Sequence, residues 1–226
     1  MGHDMTPGTP SARMAAIGRT VAERLDAVPG VFKADTPLVE LYYAEDWLPA
    51  DQCDALIAMI ETGRVPSELM GNPGDPEFRN SDSCNLDRWD PLVAAIDTRI
   101  ADMLGIAPEN GETVQGQRYG PGQQFKTHSD YLHPGLMPYS DAQATGGQRS
   151  WTAMIYLNAP EAGGETDFPY VPLRIEPRPG MLLAWNNMNP DGGMNPMTHH
   201  QGLPVIAGVK YIVTKWFREL RWLPAY

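Results

Sequence analysis

Downstream of Gly111 the chain breaks into short runs rich in Val, Ile, Thr, Tyr and Trp, each closed by Gly, Pro or Asn. This texture limits the architecture more than any other feature. Runs of that length and composition suit a pleated, half-buried strand, and the Gly and Pro between them reverse the chain. The pattern predicts strands over 113–119, 124–129, 149–157, 165–169, 173–176, 181–185, 197–201 and 210–218. Eight strands at such a turn density fit a double-sheet jelly roll. The 22 Gly and 22 Pro among 226 residues agree with many turns and speak against a helix bundle.

The front half reads differently. Met14, Ile17, Val21 and Leu25 recur at helical spacing between Ser11, a candidate N-cap, and the stop at Pro29-Gly30. A strand-like run covers 38–43. A second helix is expected over 49–62, with Cys53, Leu56, Ile57 and Ile60 on one face. A loop rich in Gly, Pro and Asn fills 71–76, and a third helix over 91–104 buries Leu92, Ile96, Ile100 and Met103 before Gly105 ends it. Residues 1–10 are small and polar, with two prolines, and read as a flexible tail. The expected fold class is therefore mainly β with helices (α+β). It forms one domain over 11–226, with helical support in 11–110 and a jelly-roll core in 111–220.

Charge narrows the partners. With 17 Lys and Arg against 28 Asp and Glu, the net charge of −11 argues against a non-specific nucleic-acid or anionic-membrane binder, so an anionic ligand must meet a few placed cations. At 42% hydrophobic and 20% charged residues the chain can bury a core. Cys53 and Cys84 show no metal-binding or disulfide spacing and read as reduced, buried thiols. The N-terminus carries no basic stretch followed by an apolar one, and no run approaches a membrane span, so a cytoplasmic protein with no membrane partner is the expectation.

Chemistry concentrates in the strand-rich half. His128-Ser129-Asp130 places an imidazole and a carboxylate at i and i+2, on one face of an extended strand. A third ligand must come from His133, His199 or His200, and of the adjacent pair only one can face the ion. Two histidines and one carboxylate with open positions suit non-haem Fe(II), whereas a closed structural zinc site wants four protein ligands. The ligand count thus points to chemistry at the metal.

The order His128-Ser129-Asp130, then His200, then Lys210 ten residues later resembles the Fe(II)/2-oxoglutarate-dependent dioxygenases of the prolyl 4-hydroxylase type. Further stretches are similar to that family: Arg118-Tyr119-Gly120-Pro121-Gly122-Gln123, Gly147-Gln148-Arg149, Tyr156-Leu157-Asn158, Gly163-Gly164-Glu165-Thr166 and Thr214-Lys215-Trp216, with a weak start at Arg79-Asn80-Ser81. The resemblance implies a double-stranded β-helix in which His128, Asp130 and His200 hold Fe(II). Lys210, Tyr119 and Thr166 would grip the far carboxylate of 2-oxoglutarate, and Glu112, Arg149 and Trp216 would line a peptide groove. It further implies O2 as co-reactant, ascorbate as a reductant, and hydroxylation of peptidyl proline at C4 coupled to conversion of 2-oxoglutarate to succinate and CO2. No catalytic side chain is needed beyond the metal centre.

His200 is preferred over His199 because it holds the family's place before Gln-Gly-x-Pro-Val, and His133 reads as a loop residue. A Lys210 ammonium inside a barrel needs an anion, whereas Lys215 reads as a surface lysine. Asp167 reads as solvated, Gly163-Gly164 as a hairpin turn, and 133–147 as a candidate lid or an ordinary surface loop. Many relatives carry Tyr where this chain has Phe125, which removes a hydroxyl near the substrate. The intact Asp130 disfavours halogenation, for which that carboxylate is replaced. Three other readings stay open: hydroxylation of another residue or of a small metabolite, a non-catalytic jelly-roll binding protein, and a cupin-like isomerase or hydrolase.

Overall fold

The computed structural model describes residues 8–67, 75, 77–133 and 145–222. Three helices form where their caps dictate. In α1 (Ala12–Asp26) the Ser11 hydroxyl accepts the Met14 amide at 3.3 Å. Helix α2 (Ala50–Gly63) follows Pro49. In α3 (Pro91–Leu104) the Asp90 carboxylate accepts the amides of Leu92 and Val93, and Gly105 ends the helix at φ 69°, a left-handed conformation that favours glycine.

Two sheets face each other. The major sheet runs in the order β1 (Phe32–Lys33), β2 (Leu41–Ala44), β11 (Leu182–Asn186), β7 (Arg149–Tyr156), β14 (Lys210–Arg218), β5 (Gln115–Tyr119), β4 (Asp82–Asn85) and β3 (Val65–Pro66). The minor sheet runs β10 (Leu173–Ile175), β9 (Thr166–Phe168), β12 (His200–Gly202) and β6 (Phe125–His128), and a ribbon pairs β13 (Val205–Ala207) with β8 (Ala162–Gly163). Every pairing is antiparallel. This is the expected jelly-roll core.

Strand alternation divides the core in two. Trp151, Ala153, Ile155, Leu182, Ala184 and Phe217 pack against Leu25, Leu56, Ile60, Ile96 and Ile100 of the helices. Their neighbours Met154, Tyr156, Leu183, Trp185 and Ile212 turn the other way and meet Phe168 and Val205 between the sheets. The major sheet is thus apolar on both faces. It separates the helical layer from the cavity that holds the polar residues described below.

Several expectations are corrected here. The segment 11–110, expected to be mostly helical with a strand-like run over 38–43 that forms β2, also contributes β1, β3 and β4 to the major sheet. The strand expected over 197–201 begins as a 3-10 turn at Pro196–Thr198, since Asn195 caps it by accepting the Met197 amide at 3.0 Å. Gly163-Gly164 is no hairpin tip: Gly163 pairs with Val205, and a Cβ there would lie 2.4 Å from the Pro204 carbonyl, so close backbone approach explains the glycine. Lys215 is not at the surface. It is 1% exposed and forms an ion pair with Asp97 of α3 at 2.6 Å. Asp167 is buried rather than solvated, and Cys84 is half-buried.

Gly8, within the expected tail, donates to the Met194 carbonyl at 3.3 Å, while residues 1–7 lie outside the described residues. So do most of the expected loop at 71–76 and most of the candidate lid at 133–147. No helix among the described residues is long and apolar enough to cross a membrane.

Candidate metal centre

The minor sheet brings the two histidines together. His128 ends β6 and His200 opens β12, and the two are directly paired across the strands, with ring centroids 4.3 Å apart. Asp130 lies beyond the end of β6, so continued strand geometry does not orient it. The side chain is turned inward by Thr152 of the facing β7, whose hydroxyl donates to Asp130 Oδ2 at 2.8 Å, and Asn187 Nδ2 donates in turn to Thr152 Oγ1 at 3.0 Å. One ligand atom from each of His128, Asp130 and His200 lies within 4.8 Å of the others.

The imidazoles are set up to ligate. His128 Nδ1 lies 2.8 Å from the Lys126 carbonyl, and His200 Nδ1 lies 3.0 Å from the Thr198 carbonyl. A carbonyl only accepts, so both Nδ1 atoms carry the proton and both Nε2 lone pairs are left for a metal. Desolvation, followed by the neighbouring His200 imidazole, holds His128 well below the usual histidine range, in the neutral form that ligation requires. Phe125 stacks on the His128 ring at 3.5 Å between centroids, and Trp185 meets His200 edge-on at 4.9 Å. These contacts fix the ring planes.

His199 is excluded from the cluster. Its Nδ1 contacts the Pro196 carbonyl at 2.8 Å, and its ring packs edge-on against Tyr131 at 5.8 Å. His133 also lies outside the triad, with its ring against Tyr131 at 5.3 Å.

Lys210 starts β14 opposite Tyr119 and enters the same cavity as the triad. It is 3% exposed, with Nζ 5.3 Å from the centre of the Tyr156 ring and 5.5 Å from that of Tyr119. Among the described residues no acceptor lies within hydrogen-bonding reach of it. Burial pushes its pKa down to about 7, against the upward pull of Glu165. A buried amine without an acceptor among the described residues is what a ligand carboxylate would complete.

Tyr119 and Thr166 line that cavity too, as expected. The Tyr119 hydroxyl donates to Gln117 Oε1 at 2.6 Å. Thr166 Oγ1 accepts from the Tyr156 hydroxyl at 2.6 Å, which leaves the threonine proton free to donate inward. Sequence reasoning missed Tyr156, Gln117 and Thr152. Only their alternation with core residues on β5 and β7 signals that they face the cavity.

Glu112, Arg149 and Trp216 also come together, beside the metal cluster. Arg149 donates Nε and Nη2 to the two Glu112 carboxylate oxygens at 2.6 and 2.8 Å, and its guanidinium lies 4.3 Å from the centre of the Trp216 ring. Arg149 Nη1 reaches the Asp130 carbonyl at 3.4 Å, and Arg218 Nε approaches Glu112 at 2.6 Å. Two guanidiniums thus share one carboxylate, a fixed arrangement next to a metal ligand.

The family model described as the 2OG-Fe(II) oxygenase superfamily matches residues 114–218, a span that contains all three triad residues and Lys210. Prolyl 4-hydroxylase 1 of Arabidopsis thaliana is 30% identical over 196 residues, covering 77% of this chain and 67% of its own length. The chain belongs to the 2OG-Fe(II) oxygenase superfamily, in its prolyl 4-hydroxylase-like family. Prolyl 4-hydroxylase 5 of the same plant is 33% identical over 196 residues, covering 76% of this chain, which spans 66% of that relative's length. Among solved structures, a viral collagen prolyl hydroxylase from Paramecium Bursaria Chlorella virus-1 in its 2OG complex superposes with a TM-score of 0.63 at 29% identity. The match covers 79% of this chain and 95% of that one. For an oxygenase of this superfamily, the cofactors are Fe(II), 2-oxoglutarate and O2, and the donor set here fits them.

Proposed function

We propose that this chain hydroxylates prolyl residues of a peptide or protein at C4, with Fe(II) and 2-oxoglutarate. The observation that carries the reading is the shared cavity: two imidazoles and one carboxylate converge in it, and a buried Lys210 amine lacks an acceptor among the described residues. Its plant relatives are named prolyl 4-hydroxylases and its viral relative a collagen prolyl hydroxylase, which supports a proline-containing peptide as substrate.

His128, Asp130 and His200 would hold the metal on one side, leaving the opposite positions open. When bound, Fe(II) and 2-oxoglutarate supply oxidation by O2, with succinate and CO2 released and one oxygen atom delivered to a substrate C–H bond. The chain's own residues bind and orient. Lys210 pairs with the distal carboxylate of 2-oxoglutarate, with Thr166 as a hydroxyl donor and Tyr119 joining it once its proton turns from Gln117 Oε1, and Trp185, Met154 and Ile212 keep the cavity apolar and dry around it. Glu112 locks Arg149 flat over Trp216, presenting a rigid aromatic and cationic wall to a peptide. Phe125 stands where many relatives carry tyrosine, so the phenol contact is replaced by its stack on His128. A cytoplasmic location, with Cys53 and Cys84 as free thiols, and ascorbate as the reductant that keeps the iron ferrous complete the proposal.

The test is anaerobic addition of Fe(II) and 2-oxoglutarate, followed by oxygen with and without a proline-rich peptide. A visible charge-transfer band together with peptide-stimulated succinate supports the proposal. A band without peptide stimulation redirects the search to another residue or a metabolite. Absence of the band in folded, iron-replete protein overturns the reading.

A further inference from the structure

Three residues sit one position away from the site, each on a different strand of the minor sheet: Thr127 before His128, Gln201 after His200, and Asp167 after Thr166. Strand neighbours point to opposite faces, so these side chains lie on the face turned away from the cavity. They are joined in a row. Thr127 Oγ1 donates to Gln201 Oε1 at 3.0 Å, Gln201 Nε2 donates to Asp167 Oδ2 at 2.7 Å, and Arg174 Nε donates to Asp167 Oδ1 at 2.9 Å. One chain of side-chain hydrogen bonds therefore crosses β6, β12, β9 and β10, all four strands of the sheet.

The row crosses the sheet where the pairing of β6 with β12 shifts register. His200 pairs with His128, but Gly202 pairs with Phe125, so β6 carries one extra residue in a bulge immediately before the metal histidine. Within the bulge the Lys126 amide donates to the Phe78 carbonyl, outside the minor sheet, and the Lys126 carbonyl is the partner of His128 Nδ1. A slip of one residue there would turn Thr127 into the cavity and His128 out of it. The Thr127–Gln201 bond is the side-chain link that spans the bulge, and Asp167, 8% exposed, anchors its far end.

We propose that Thr127, Gln201 and Asp167 are positioning residues that hold β6 and β12 in the register at which His128 and His200 meet one metal ion. The inference rests on the metal reading above and deepens it. Arg174 adds little, since its side chain is 60% exposed and its ion pair is screened.

The test uses Co(II) as a spectroscopic probe on the full chain. Asp167→Ala removes the anchor, and Thr127→Val removes the bulge-spanning donor while keeping a β-branched side chain of nearly the same shape, so it remains a usable variant if the first fails to fold. Outer partners of metal ligands typically contribute about 10–100-fold in affinity, and a Co(II) dissociation constant raised by about tenfold or more, with an altered ligand-field band, is expected in both. Asp167→Asn keeps an oxygen that accepts from Gln201 and should stay within about threefold of the parent. A merely structural role would lower the melting temperature and leave the Co(II) affinity of the folded fraction unchanged. Parent-like affinity and band in both Asp167→Ala and Thr127→Val overturn the positioning role. If the parent protein itself takes up no Co(II), the metal reading fails and this inference falls with it.

Discussion

Replacing Lys210 by alanine isolates the interaction on which the proposed cosubstrate recognition depends. The amine is 3% exposed, faces two phenol rings, and has no acceptor among the described residues, so an incoming anion would supply the hydrogen-bond partner that its charged form lacks. A hydrogen bond between charged groups contributes about 1.5–3 kcal/mol, which corresponds to about 10- to 150-fold in affinity for 2-oxoglutarate. The effect should carry a pH signature. Burial lowers the Lys210 pKa to about 7 in the ligand-free protein, and a bound carboxylate favours the protonated amine. Binding therefore takes up a proton above that pKa. Affinity is full well below pH 7 and falls as pH rises through it, gently at first and approaching about tenfold per unit once the free amine is mostly neutral. Calorimetric titration of 2-oxoglutarate at pH 8, in buffers of different ionisation enthalpy, should show uptake of nearly one proton. Lys210→Ala should bind at least about tenfold more weakly and show no such uptake. An affinity within twofold of the parent, or an unchanged proton linkage in the variant, would refute the pairing.

Thr152→Val strips Asp130 of its hydroxyl donor and Asn187 of its acceptor, and should weaken metal binding by about tenfold or more with little change in the KM for 2-oxoglutarate corrected for metal saturation; metal titration followed by succinate assays checks this. Arg149→Met leaves Glu112 paired with Arg218 alone and removes the guanidinium over Trp216, so the peptide KM should rise by about tenfold while uncoupled 2-oxoglutarate turnover persists; equal loss of both activities would place Arg149 elsewhere in the mechanism. Lys215→Met strands Asp97 beside α3 and should destabilise the fold by about 3 kcal/mol in urea denaturation, whereas adding Asp97→Leu should recover most of that loss.

Part of this molecule is legible from local rules. Ser11, Asp90 and Gly105 mark helix ends because a cap is satisfied within a few residues of chain. His128 and Asp130 were legible because i and i+2 share a face of an extended strand, and His200 and Lys210 because their order and spacing resemble the family's. Strands β3 and β4 escaped because neither carries an apolar alternation: β3 is the edge strand and β4 its neighbour, and their pairing partners supply the reason for their shape. Lys215 and Asp167 were misread for a related reason. A lysine or aspartate in a strand says nothing about burial until the partner, Asp97 from a helix or Gln201 from the next strand, is brought alongside.

The amino-acid order by itself determined the strand-rich core, the three helices and the His128–Asp130 pair, since these follow from periodicity, caps and residue chemistry within short windows, while His200, Lys210, Tyr119 and Thr166 were singled out by the family resemblance. Tertiary structure alone decided how the ligands are aimed. Asp130 is turned inward by Thr152 from the opposite sheet, Thr166 is oriented by Tyr156, and the bulge beside His128 is spanned by Gln201. Each of those contacts joins residues on segments far apart in the chain or on different strands. A hydrogen bond between such residues exists only after both segments have been placed, and no local propensity encodes it.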